Sequence, residues 1–384
     1  MTQLLRNQKI RGILFQILTV IGLVAFLWYI GSNTVTNIEQ RGIKTGFEFL
    51  NSTAGFNIDE APIEFSQSDT HFKVFLVGLT NTLIIGAVGI VFATILGLII
   101  GVLRLSNNWL IKKLAAAYID IFRNIPVLLQ ILFWYNVVLK ALPVPKKSIE
   151  LIGGVFMNNR GLYLPRPDWN TTTIAVLSSF FLVAIAIFFI NRWANKRQEE
   201  TGEDFPVILV GLALFIIIPI LTYFVSGANF NFDYPQLRGF NFRGGKSISP
   251  EFLALTFALV IYTATFIAEA VRSGIEAVKK GQKEAAASIG LTEYQALKLV
   301  VLPQAIRIAI PPTINQYLNL IKNSSLATAV GYPEIVTVFS GTSLNQTGQA
   351  IEIIAMTMLV YLTISLIVSA ILNWFNHKMK IKER

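Results

Sequence analysis

The chain has 384 residues, 53% hydrophobic and only 14% charged, with a formal net charge of +10 and no cysteine. That balance excludes an ordinary soluble domain, and the missing thiols exclude disulfides, thiol catalysis and cysteine-ligated metals. The two histidines, His71 and His377, stand far apart with no ligand partner near either, and the basic excess sits in short loops beside apolar runs, which is the pattern that orients membrane proteins rather than one that binds nucleic acid.

In chain order, Arg6, Lys9 and Arg11 precede an apolar run from Ile13 to Ile30. At about 18 residues it is long enough to span, and Trp28, Tyr29 and Ile30 suit a retained helix better than a cleaved signal peptide, which needs small residues at its end. Residues 31–73 are polar, without helical period, and are expected to form an extracytoplasmic loop. The span from Val74 to Leu103 is about 30 residues, or about 45 Å as a straight helix, so it must tilt, kink or protrude. Its Gly97 and Gly101 have the spacing of a close helix contact, for which packing without special function is the simplest account. A further span is expected from Leu114 to Leu139, then an ordered outer loop over 140–170. Two spans follow, Thr171 to Ile190 and Pro206 to Val225, then a second polar segment, 226–249. Spans from Glu251 to Arg272, Ile306 to Ile321 and Ile351 to Phe375 complete about eight.

With the N-terminus inside, the inner segments hold the majority of the Lys and Arg outside spans, which makes both termini and the 273–304 loop cytoplasmic. That loop contains KEAAASIGLTEYQALKLVVLPQ, Lys283 to Gln304. Glu284 to Ile289 is mostly good helix former, and Gly290 suits the left-handed position just past a helix end. Thr292 has the N-cap role and Gln295, three residues on, completes a capping box. Pro303 disfavours helix at Leu302 and is expected to stop the second helix. Two such short helices need a partner surface. The slim Ala285, Ala286, Ala287 run and the charge of Glu284 suit a groove, whereas an amphipathic helix on the inner leaflet would need neither the corner nor the second cap.

EAAASIG followed by VVLP resembles the EAA signature of ABC-importer permeases. Glu284, Ala285, Ala286, Gly290, Leu302 and Pro303 match, while Val300 stands where isoleucine is usual. FLVGLTNTL (75–83), IDIFRNIPVLLQ (119–130), YTATFIAEAVRSGIEAVKKGQKEAA (262–286) and LIKNSSLATAVGYPEI (320–335) are similar to the polar-amino-acid permeases of the histidine/glutamine type. The resemblance covers the spans 74–103, 114–139, 251–272, 306–321 and 351–375. The extra first span, the 31–73 segment and the inserted pair 171–225 resemble its longer general L-amino-acid subfamily. The resemblance implies that a periplasmic amino-acid-binding protein delivers an L-amino acid, that two permease subunits form the path, and that two cytoplasmic ATPases dock on the EAA loops. A non-identical homologue is then expected as the second permease.

Charges inside spans are costly and usually paired or facing a cavity. Asp120 and Arg123 are expected to form a structural pair near the inner interface, with Pro126 kinking the chain. Glu269 and Arg272 have the same i, i+3 spacing. Tyr262, Thr263, Phe266 and Glu269 fall roughly on one helical face, so Glu269 either pairs structurally or lines a path where it attracts a substrate amino group. Lys322 and Ser324 end a short span interrupted by Pro311 and Pro312, the kind of broken helix found at transporter substrate sites. Lys322 would meet a carboxylate there or snorkel outward. GFNFRGGKS, Gly239 to Ser247, imitates a phosphate-binding loop but has one residue too many before its Gly-Lys-Ser end and no preceding strand. The chain is therefore not expected to bind ATP, and no cofactor or metal is called for.

The sequence thus predicts an all-α polytopic membrane protein of about eight helices with a five-helix type I ABC-importer core. Its organisation is 1–73 as N-terminal helix and loop, 74–139 as the first two core helices, 140–249 as an insertion, and 250–384 as the remaining core with the 273–304 coupling loop. The expected role is a non-enzymatic permease of the bacterial inner membrane. A channel or an ion-coupled secondary transporter for small polar solutes is the alternative, and it leaves the Gly290 corner unexplained.

Overall fold

The computed structural model describes residues 8–42, 44–203, 205–227 and 231–379. Among these are seven helices long and apolar enough to cross a membrane, or eight if a bent pair counts as one span. The contacts divide the chain into two units, 1–127 with 259–384, and 128–258.

In the first unit, α1 (Gln8–Arg41) extends past the expected end of its span. The reading of 31–73 as loop is therefore corrected at both ends: residues 31–41 continue α1, and His71 already begins α2 (His71–Arg104). Thr34 and Thr36 side chains bond back to the carbonyls of Ile30 and Ser32, which lets these polar residues ride on the helix. α1 buries none of its apolar window, a surface that lipid tails solvate as well as another helix would.

α2 is lined on its packed side by small residues, including Gly78, Gly86, Gly89, Gly97 and Gly101. A Cβ at Gly97 would lie 2.6 Å from Ile267 Cβ, and one at Gly101 would lie 2.9 Å from the Ala268 carbonyl. The Gly97/Gly101 pair is thus the contact through which α2 meets α7 (Pro250–Glu276).

The expected span 114–139, kinked at Pro126, is broken outright. α3 (Trp109–Asn124) and the helix from Val127 to Leu139 (α4, Val127–Leu132, widening into a π-helix, Phe133–Leu139) meet at a 101° bend. Ile125, immediately before Pro126, is extended at φ −94°, ψ 127°, as the proline's Cδ requires.

The 44–70 segment is ordered. A 3-10 turn, Glu48–Asn51, sets Phe49 among Ile335, Phe339 and Ile353, while Ala54 and Ile58 pack with Val74, Val77 and Val338. Gly46 N–H donates to Glu352 Oε1 at 2.6 Å, and His71 Nδ1 lies 2.9 Å from Ser343 Oγ.

The second unit holds the hairpin of α5 (Thr171–Thr201) and α6 (Val207–Val225) and, in the segments expected as loops, short strands. β1 (Ile149–Glu150), β2 (Phe156–Asn158), β3 (Gly161–Leu164) and β8 (Lys246–Ile248) form an antiparallel sheet in that order. β4 (Arg166–Pro167) pairs with β5 (Phe232–Asp233), and β6 (Gln236–Arg238) with β7 (Asn241–Arg243). Phe242 stacks on Phe156 and Tyr163 at 4.8 and 4.9 Å, giving this small cap a core of its own. The membrane helices remain the architecture of the protein, and the cap is an addition to them.

Candidate functional site

The 273–304 region is a hairpin of helices. α8 (Lys280–Ser288) ends at Gly290, whose φ is +81°. Leu291 N–H bonds the Ala286 carbonyl and Gly290 N–H bonds that of Ala287, at 3.1 and 3.0 Å, the double closure of a Schellman turn. A Cβ at Gly290 would meet nothing within 4 Å. The glycine is therefore required for its backbone angle, not for space.

α9 (Glu293–Ala296) opens with the expected capping box: Gln295 N–H donates to Thr292 Oγ1 at 3.3 Å and Thr292 N–H to Gln295 Oε1 at 2.9 Å. The expected stop at Pro303 does not occur. α9 runs through a π-turn, Leu297–Val301, into α10 (Leu302–Asn323). The wider π ladder already breaks the regular hydrogen bonding there, so a proline without N–H fits just after it, and Leu302 stays helical at φ −59°, ψ −44°. The second half of the hairpin is consequently one rigid piece with a membrane helix.

Burial sorts the motif residues. Ala286 is 3% exposed, and Val301 and Ala305 pack with Val278 and Ile275. Gln304 Nε2 donates to Gln282 Oε1 at 3.3 Å, a further tie between α8 and α10. Glu284, Ala285, Gly290 and Pro303 are exposed and Leu302 is half-buried. Ile289 is 76% exposed, beside exposed Tyr294 and Leu299. Glu284 has only Lys280, 3.9 Å away, as an ionic neighbour among the described residues. The hairpin is thus held to α10 from within and presents an unpartnered face of apolar and charged groups.

Of the expected path residues, Tyr262, Phe266 and Glu269 do share a face of α7. The Tyr262 and Phe266 rings meet edge to face at 5.0 Å. Arg123 lies over the Phe266 ring at 5.1 Å, so the expected Asp120–Arg123 pair is corrected: among the described residues no ion pair joins them. Glu269 accepts Arg272 Nε at 3.1 Å and also binds Arg272 Nη2, while Arg272 Nη1 reaches Glu276. A substrate ammonium at Glu269 would have to compete with this guanidinium. Lys322 and Ser324 lie elsewhere: Lys322 is exposed, and the buried Ser324 hydroxyl donates to the Ile321 carbonyl at 2.7 Å and neighbours Tyr361. No hydrogen bond, ion pair or ring contact joins either to the Tyr262 face among the described residues.

The sequence reading missed three features. Gly274 lets α7 touch α10, where a Cβ would come 2.8 Å from the Ala305 carbonyl. Asn81 donates to the carbonyls of Glu60 and Pro333, both at 2.8 Å, and accepts from Tyr332 OH at 3.2 Å. Glu334, 0% exposed, accepts from Thr337 N–H at 2.9 Å, Thr337 Oγ1 at 3.1 Å and Tyr361 OH at 3.1 Å. The rule that singles out Glu269 as a costly polar group in an apolar setting applies equally to Asn81. It is the signal that would have found it.

Residues 205–381 match the family described as "Binding-protein-dependent transport system inner membrane component". YhdX, an amino-acid ABC transporter permease protein of Escherichia coli (strain K12), is 49% identical over 98% of this chain and 96% of its own. The chain belongs to the amino-acid ABC-transporter permease family. AapQ of Rhizobium johnstonii, a general L-amino acid transport system permease protein, is 48% identical over 98% of this chain and 94% of its own. BztB of Rhodobacter capsulatus, a glutamate/glutamine/aspartate/asparagine transport system permease protein, is 39% identical over 100% of this chain and 97% of its own. As a permease of this family, the chain has the helical type I importer fold.

Proposed function

We propose that this permease is one half of the transmembrane pair of an ATP-driven importer of polar L-amino acids. A cytoplasmic ATPase docks on the hairpin Lys280–Val301, through Glu284, Ala285, Ala286 and Gly290, with Leu302 and Pro303 at its base. The observation that carries this reading is the hairpin's division of labour, in which Ala286 is buried and Val301 and Gln282 tie it to α10 while Glu284, Ile289 and Tyr294 stay uncovered. Because α9, the π-turn and α10 are continuous, a push on the hairpin moves the membrane helix with it, and ATPase closure becomes alternating access by rigid movement.

The substrate class follows the names of relatives that match nearly the whole chain, which take general L-amino acids or the acidic amino acids and their amides. Tyr262, Phe266 and Glu269, with Arg123 and Arg272 beside them, line the path, and an amphoteric amino acid would meet both charge signs there. Lys322 and Ser324, at the C-terminal end of α10, are the further candidates for lining the path. The chain sits in the bacterial inner membrane with both termini cytoplasmic and 44–70, 140–170 and 231–249 reaching the outside. Its partners are two ATPases, a non-identical permease homologue and a periplasmic amino-acid-binding protein. The helices of 74–139 and 250–384 form the transport core, with 140–249 as an insertion.

Co-purification with candidate ATPases tests the docking, comparing the intact chain with Glu284→Lys plus Gly290→Pro. Loss of the ATPase from a folded, membrane-inserted variant is expected. Retention in full would mean that the ATPase docks elsewhere, and amino-acid uptake without any ATPase would favour a channel or secondary transporter.

A further inference from the structure

The insertion carries an ordered surface that importing amino acids through the membrane helices does not explain. Residues 140–170 and 231–249 hold eight Lys or Arg against three Asp or Glu. All eight cations are exposed, and among the described residues only Arg166 forms an ion pair, with Asp233 at 3.7 Å. Positive charge outside the membrane runs against the bias that orients membrane proteins, so its concentration here needs a reason beyond topology. The charges also sit on a built platform. The Phe156–Phe242–Tyr163 stack holds the strands together, and Gly245 N–H is fixed by Asp233 Oδ2 at 2.9 Å.

Two turns of this platform display large apolar side chains. Phe240, 78% exposed, stands at the apex of β6–β7, where Gly239 supplies the positive φ of +67°. Lys146 lies over its ring at 5.1 Å. Ile152, 81% exposed, occupies the β1–β2 turn. Uncovered apolar anchors beside unpaired cations are the make-up of a protein interface whose partner is acidic.

We propose that this cap is the surface on which the solute-binding protein docks, through an acidic face that meets Lys146, Lys147, Arg238 and Arg243 and receives Phe240. The proposal rests on the importer reading above and on its placing 140–170 and 231–249 outside. The family is binding-protein-dependent, and charge complementarity selects an acidic protein face. The contrasting 44–70 segment holds five Asp or Glu and one Lys, so it offers the opposite sign.

The test uses the complete transporter, with both permeases, its ATPases and its binding protein, in phosphatidylcholine nanodiscs, and reads ATPase activity against binding-protein concentration. Lys146→Glu with Lys147→Glu, and separately Arg238→Glu with Arg243→Glu, should each raise the half-saturating concentration about tenfold at low salt and leave the unstimulated rate unchanged. Raising salt should weaken the wild type more than either variant, since exposed charges are screened within about 10 Å at 0.1 M. Lys196→Glu, on the α5 helix, serves as the charge control and should change neither value. Stimulation with an unchanged half-saturating concentration in both variants overturns the docking proposal alone. No stimulation of the wild type removes the importer reading and this proposal with it. Binding to phosphatidylglycerol vesicles that both reversals abolish, with binding-protein response intact, would assign the cap to anionic lipid and also overturn it.

Discussion

The 44–70 segment and the 280–301 hairpin are both polar stretches of the same unit, yet the first turns its groups inward and the second outward. Gly46, Phe49 and the Glu60 carbonyl are tied to residues more than twenty positions away, through Glu352, Phe339 and Asn81. Glu334 and Tyr361 close the same buried network with every Glu334 oxygen occupied. In the hairpin, by contrast, the bonds are mostly local, a Schellman turn and a capping box, with the Gln304–Gln282 bond reaching farther. Buried, hydrogen-bonded polar groups rigidify a structure and are costly to disturb, whereas a locally closed motif can keep its shape with its face uncovered. The difference separates an anchor from a docking element.

The largest effect should come from the anchor. Glu334→Ala leaves Thr337 N–H, its hydroxyl and Tyr361 OH without an acceptor, and should cost about 2–4 kcal/mol, seen as a lower melting temperature in detergent. Glu334→Gln keeps one acceptor and should lose less; equal losses would mean the network is not what holds the anchor. Asn81→Ala should follow at about 1–3 kcal/mol, because the carbonyls of Glu60 and Pro333 lose their donor.

In the hairpin, Gly290→Ala forces a side chain into a left-handed angle and should cost about 1 kcal/mol locally, with reduced ATPase coupling and a nearly unchanged melting temperature. A melting shift as large as that of Asn81→Ala would break the contrast. Ile289→Ser, at an exposed site, should alter stability by about 0.5 kcal/mol or less while lowering ATPase affinity in co-purification. The smallest effect belongs to Asp69, whose carboxyl is held below the ordinary aspartate range by hydrogen bonds from Lys73 and the Ser66 N–H. A depressed carboxylate contributes above its unfolded value and loses that contribution as pH falls through the folded one. Wild type should therefore lose slightly more stability on acidification below the usual aspartate range than Asp69→Asn, by parallel melting curves.

The hairpin was largely legible because its signals are short-range. Gly290, Thr292 and Gln295 act on backbone groups within a few residues of themselves, so their spacing is enough. Pro303 misled for the same reason: its local preference is to end a helix, but the π-turn before it absorbs the missing N–H. The 101° bend at Ile125 was legible only as a kink, since a proline marks where the chain bends but not how far. Arg123 illustrates the longer-range limit. Its spacing pointed to Asp120, one turn away, while the folded chain offered the Phe266 ring instead.

By itself, the sequence determined the membrane class, the number of long apolar helices, the Gly290 corner and the family, because hydropathy, backbone angles and motif spacing are properties of neighbours in the chain. Tertiary structure alone decided that α9 fuses with α10, that Gly274 is a contact point and that Gly97 meets Ile267, and that Asn81 bonds Pro333 across 252 positions. Those outcomes depend on which surfaces meet, and a buried hydrogen bond or a close helix crossing is favourable only once both partners have been brought out of solvent together.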